Sequence, residues 1–156
     1  MTRSIAFDRR LVLLAGAAML ITSPAAADTA RVAIHKSSPY ALRGFDTTAY
    51  WSDRQAEKGA STHVVNWRGA EWRFASADDA AAFRADPERF EPQFGGYCAR
   101  AMSFKKTVPA DPEVWRIYGD KLYVFARPIG GTKFDETPEK IIEKATAHWN
   151  TLNLVE

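Results

Sequence analysis

Few side chains in this sequence could do unusual chemistry, and one of them is unique. Cys98 is the only cysteine, and it follows Gly95-Gly96-Tyr97. A glycine pair lets the backbone take positive φ or approach a neighbour closely. A helix starting near Tyr97 would set amides beside the thiol, which favours the thiolate. It would also bring Met102, four residues on, to the same face as Cys98. Thiolate and thioether are soft donors that select Cu(I) and related ions. His63, at the head of a strand-like run, is the third candidate ligand.

Three readings of Cys98 stay open on these residues alone. It can be a small buried hydrophobe beside a tight turn. It can be a soft metal ligand with Met102 and a histidine. It can be a catalytic or redox thiol, although no partner thiol or neighbouring base is identifiable, so the chain does not read as an enzyme. Met102 alone would be core filler. The remaining histidines, His35 and His148, take no assigned role, and His148 suits the end of a helix. One cysteine and three histidines fall short of a closed structural zinc site. There is no phosphate loop and no Gly-x-Ser-x-Gly. Asp46 is read first as a cap on the turn 47–51, its carboxylate accepting free backbone amides.

The elements that must position these groups follow from patterning. Residues 62–67 and 71–74 read as a hairpin around Arg68-Gly69, with β-branched and aromatic residues alternating with polar ones. Ser76 caps a helix with acids in its first turn, and Asp86-Pro87 closes it. After Cys98 a helix is expected to run to about Phe104, with Lys105 and Lys106 at its end. Residues 114–117 and 121–125 form a second hairpin around Tyr118-Gly119-Asp120. Thr137-Pro138-Glu139 starts a C-terminal helix, with the threonine hydroxyl as cap and Ile141, Ile142, Ala145 and Trp149 as its packing stripe. The expected fold is α+β: small antiparallel hairpins packed with short helices and a C-terminal helix. No internal repeat is evident.

Composition bounds the rest. The chain has 156 residues, of which 46% are hydrophobic, a one-domain length with enough apolar residues for a core. Arg9-Arg10 and the apolar run 11–21 read as an export signal over 1–27, with Pro24-Ala25-Ala26-Ala27 before the cleavage point. The arginine pair fits the twin-arginine route as well as the general secretory one. The apolar run is short for a membrane span. No membrane anchor is expected after cleavage. Residues 28–39 read as a flexible leader or loose edge strand, 40–150 as the domain and 151–156 as a tail. The first 27 residues hold three arginines and one aspartate, so 28–156 carries 18 basic and 18 acidic residues. A neutral chain gives no electrostatic case for nucleic acid or anionic membrane. In a periplasmic, oxidising compartment an odd cysteine implies burial, a metal bond, intermolecular pairing or a reactive thiol.

Gly95-Gly96-Tyr97-Cys98-Ala99, preceded by Trp72-Arg73-Phe74-Ala75-Ser76 and by Asp86-Pro87 between Phe83 and Phe90, resembles the YHS domain. Gly44-Phe45-Asp46-Thr47-Thr48-Ala49-Tyr50-Trp51 is similar to that family's Asp-Pro-Val-Ala-Tyr opening, with Thr47-Thr48 in place of Pro-Val. Asp111-Pro112-Glu113-Val114-Trp115 and Lys121-Leu122-Tyr123 also fit. The likeness covers about 40–149 and implies a small exported bacterial domain with a metal-binding role. On that resemblance Asp46, Tyr50, Gly95, Gly96 and Tyr97 are motif residues. Cys98, with Met102 and His63, would hold a soft ion such as copper. The alternative is a structural or interaction module in which Cys98 is buried without metal. Tyr40 and Trp51 would then meet a periplasmic protein partner.

Overall fold

The computed structural model describes residues 28–156; the expected export signal, 1–27, lies outside them. In order, the chain forms β1 (Asp28–Ala30), β2 (Phe45–Asp46), α1 (Ala49–Ser52), β3 (Glu57–Lys58), β4 (Ala60–Trp67), β5 (Ala70–Phe74) and α2 (Ala77–Ala85). There follow α3 (Pro87–Phe90), α4 (Ala99–Met102), β6 (Asp111–Tyr118), β7 (Lys121–Phe125), α5 (Pro128–Glu136), α6 (Pro138–Trp149) and β8 (Asn153–Val155). The fold is α+β with small hairpins, as the patterning predicts.

The two hairpins share one plan. Strand β4 pairs antiparallel with β5 through Trp67↔Ala70, Val65↔Trp72 and, past an irregular stretch, Ala60↔Phe74. Strand β6 pairs with β7 through Tyr118↔Lys121, Arg116↔Tyr123 and, past the same irregularity, Asp111↔Phe125, each partner 51 positions on. Both turns have positive φ at their two central residues, Arg68 and Gly69 in one, Gly119 and Asp120 in the other. That backbone twist matches the twist of the flanking strands. Each hairpin is followed by a nine-residue helix, then by Asp86-Pro87 or Thr137-Pro138 opening the next helix.

Packing repeats as well. Phe83 of α2 lies on Trp72 and Phe74 at ring distances of 5.3 and 4.9 Å. Phe134 of α5 lies on Tyr123 and Phe125, both at 5.1 Å. Upstream, a run of positive φ at Leu42, Arg43 and Gly44 recurs at Phe94, Gly95 and Gly96. Each run leads into a short antiparallel pairing, Phe45↔Lys58 in one and Tyr97↔Pro109 in the other. By these pairings Asp46 corresponds to Cys98, with one residue fewer before the second hairpin. The expectation of no internal repeat is therefore corrected. Between 60–90 and 111–141 only Phe74/Phe125, Ala75/Ala126, Phe83/Phe134, Pro87/Pro138 and Glu88/Glu139 are identical. The copies keep the burial pattern and not the residues.

Other expectations change with the packing. Of the two alternatives for residues 28–39, the edge strand is the one that forms, over Asp28–Ala30: β1 runs parallel to β8, and Val32 and Ala33 are buried. The tail 151–156 is not free, because β8 is the other half of that pair. Helix α5 was not expected, since Gly130-Gly131 reads as a breaker. A Cβ at Gly130 would stand 3.1 Å from Phe125 Cβ, so the glycine lets the helix lie close on β7, and tertiary packing overrides propensity. Helix α4 ends at Met102, short of Phe104. Thr137 precedes α6 without a side-chain capping bond.

Candidate functional site

In the first half, the corner between β2 and α1 is closed by a carboxylate. Asp46 is fully buried. Its Oδ1 accepts the Thr48 amide at 2.8 Å and the Thr48 hydroxyl at 2.7 Å. Its Oδ2 accepts the Ala75 amide at 2.7 Å, which ties the corner to the end of β5. Helix α1 has Thr48 at its N-cap and no side-chain capping bond, so the expected cap on the turn 47–51 amounts to the bonds to Thr48. Three donors meet the carboxylate, so Asp46 ties the corner together. Tyr50 is buried beside it and donates its hydroxyl to the Pro112 carbonyl at 2.8 Å. Burial, with Asp111 and Asp46 nearby, pushes its phenol far above the ordinary value. Tyr50 is a structural anchor.

In the second half the corresponding corner carries Cys98. The Gly95-Gly96 turn does not merely precede the thiol. A Cβ on Gly95 would fall 1.8 Å from the Arg31 carbonyl oxygen, and the Gly95 carbonyl accepts the Ala33 amide at 2.8 Å. The turn is thus the dock for the segment after β1. Tyr97 reinforces it by donating its hydroxyl to the Ala30 carbonyl at 3.0 Å. The Gly96 carbonyl accepts the Ala110 amide at 3.1 Å, and the Val108 carbonyl accepts the Cys98 amide at 2.8 Å. Cys98 is then held at the N-cap of α4, where Sγ accepts the Ala101 amide at 3.4 Å. The thiol is only 5% exposed. Met102 is fully buried in the same apolar cluster, with Tyr97, Phe125 and Phe134.

Cys98 nonetheless borders a surface cavity of 330 Å³. Phe104, Val108, Ala126 and Ile129 give it apolar walls, and Arg100, Lys106 and Arg127 stand in its lining. No carboxylate lines it, and none of the three cations is in an ion pair among the described residues. Phe104 and Ile129 are 62% and 52% exposed, the two most exposed large hydrophobic residues among the described residues. The N-terminus of α5 also meets this cavity through Arg127, Ile129 and Gly130. Its N-cap residue, Arg127, makes no side-chain cap, and its first turn has no acid.

The structure brings Cys98 and Met102 into one cluster and leaves His63 elsewhere. His63 lies on β4, in the irregular stretch between the paired residues Ala60 and Val64, and that hairpin packs into a different apolar cluster. Among the described residues no three His, Cys, Asp or Glu side chains gather as a metal site. Tyr40 and Trp51, expected as exposed contact residues, are half-buried, and the Arg73 guanidinium lies 3.4 Å from the Tyr40 ring centroid. The site residues missed in the sequence are Arg100, Lys106, Arg127 and Ile129. One signal could have found them: Arg127-Pro128 opens a helix where Ser76, 51 residues earlier, supplies a capping hydroxyl to the Asp79 amide at 3.1 Å. Comparison with family models, with curated proteins and with solved structures finds no match.

Proposed function

We propose that the protein is an exported, periplasmic domain of the YHS kind that binds a soft metal ion, copper first, through Cys98. The observation that carries this reading is the placement of the thiol. It is nearly covered, yet it borders a cavity that opens to solvent. Such a ligand is shielded from bulky oxidants and reachable by a small ion. The donor chemistry fits a monovalent soft ion, because Cys98 and Met102 share a cluster and Cu(I) accepts low coordination by sulfur. Cys98 would hold the ion, with Met102 the second sulfur. The bound ion would supply a soft cargo to buffer or hand over. The surroundings do not fit four-ligand zinc.

Titration with Cu(I) against a chromogenic chelator tests the proposal. Wild type should compete for one ion, Met102→Leu should bind more weakly, and Cys98→Ser should not compete. Wild-type affinity in Cys98→Ser would refute the reading.

A second reading rests on the same thiol's burial and its bond to the Ala101 amide. Cys98 would then be a fold determinant in an interaction module. A bulky maleimide should label the unfolded chain and spare the native one. Rapid labelling of native protein would reject this second account.

A further inference from the structure

The first half of the molecule serves as a template for the second. Around the start of α2 the first half provides its own negative charge and its own cap: Asp46 on the Ala75 amide, Ser76 on the Asp79 amide, and Asp78 and Asp79 in the first turn. At the matching positions the second half has Cys98, Ala126, Arg127, Ile129 and Gly130, and all five line the cavity. Every acidic or capping group has been replaced by a thiol, a cation, an apolar residue or glycine. The helix end that α2 neutralises internally is left uncapped in α5. Pro128 has no amide hydrogen and the Gly130 amide donates to the Arg127 carbonyl at 2.8 Å. The Ile129 amide and the helix dipole therefore favour an anion here, and Arg100, Lys106 and Arg127 add to that field.

The geometry points to a binding site in this cavity for the carboxylate of a small organic anion, seated where the first half places the carboxylate of Asp46. The charged end would meet the start of α5 and Arg127. The apolar body would lie along Ile129, Val108 and the exposed ring of Phe104, over which the Arg100 guanidinium sits at 5.3 Å. A volume of 330 Å³ is at the small end for ligand pockets, so the ligand is a short-chain or single-ring acid. The proposal goes beyond copper binding and does not depend on it.

The test is an amide NMR titration of the protein, with no metal added, using hexanoate, hexanol and sulfate as probes. Hexanoate should bind at about millimolar concentration or tighter, shifting the amides of Ala126, Ile129 and Gly130. Hexanol should bind at least about tenfold more weakly, for want of the charge. Cys98→Ser should keep hexanoate binding, which separates this proposal from the copper reading. Cys98→Asp, which copies Asp46, should fill the site and weaken hexanoate at least about tenfold. Arg127→Ser, which copies Ser76, should do the same while raising the melting temperature, so the test survives if the first variant folds poorly. A short apolar peptide with a free carboxyl end, compared with its amide, tells whether a chain terminus is the better source of the carboxylate. Equal binding of hexanol, shifts confined to the Lys140 and Lys144 side of α6, or full hexanoate affinity in both copying variants would overturn the assignment.

Discussion

Where β5 runs into α2, negative charge is built in: the buried Asp46 carboxylate receives three hydrogen bonds, and Ser76 caps the helix. Where β7 runs into α5, the same frame carries a thiol, three cations with no ion pair among the described residues, and no side-chain cap. The hairpin register, the turn φ values and the aromatic seat under each helix agree between the two places. The aromatic seat is thus common to both halves, whereas the buried carboxylate stabilises the first half alone. The first half is satisfied internally at its corner, and the second borders a cavity there.

The strongest way to break this comparison is at the aromatic seats. Phe83→Ala and Phe134→Ala should each cost about 4 kcal/mol in denaturant unfolding. A difference of more than about 2 kcal/mol would mean that the two seats are not equivalent. The glycine turn comes next. Gly95→Ala drives a Cβ into the Arg31 carbonyl and should cost about 3 kcal/mol. Its counterpart Arg43 carries a side chain at φ 53°, and Arg43→Ala should cost about 1 kcal/mol at most, from a half-exposed ion pair with Asp111. The corner residues sharpen the contrast. Asp46→Ala strands the Thr48 and Ala75 amides and should cost about 3 kcal/mol, against about 1 kcal/mol for Cys98→Ala.

The smallest effect is in pH dependence. Glu91 is buried and takes Arg68 at 2.5 Å and the Trp67 indole at 3.2 Å. Burial outweighs these partners and raises its pKa. A raised carboxyl pKa means that the folded state holds the proton more tightly than the unfolded chain. Stability from this group is thus present below the ordinary carboxylate range and declines as pH rises through the raised value. Its counterpart in the second half is Ile142, so the decline belongs to the first half alone. Melting temperatures from pH 4 to 8 should fall less in Glu91→Gln than in wild type; parallel curves would remove Glu91 as the cause.

The hairpins, α2 with its Ser76 cap and the start of α6 were legible because alternation, turn residues and Pro at the first helical position act locally. The local bond of Asp46 to the Thr48 amide was legible for the same reason, and its tie to the Ala75 amide was not. What escaped notice depends on contacts between distant segments. Gly130 is a breaker until Phe125 is seen against it. Val32 and Ala33 look like a short patch until the Gly95 carbonyl takes the Ala33 amide. The duplication was hidden because Trp72 and Tyr123, or Ala80 and Gly131, share a place without sharing a side chain. At the site, Cys98 stood out by its rarity. Arg127 did not, because an arginine before a proline signals nothing until its counterpart is known to be a capping serine.

The parallel pairing of β1 with β8 has a consequence for how the chain can be rewired. Because the two strands are parallel, Glu156 lies at the far end of the pair from Asp28, so a bridge that runs back along the strands would be needed to join them into a ring. That ring could be reopened on the exposed loop at 104–107, which connects α4 to the strands that follow. Such a circular permutant would keep both hairpins intact while moving the chain break to the mouth of the cavity. There a fused reporter would sense what enters.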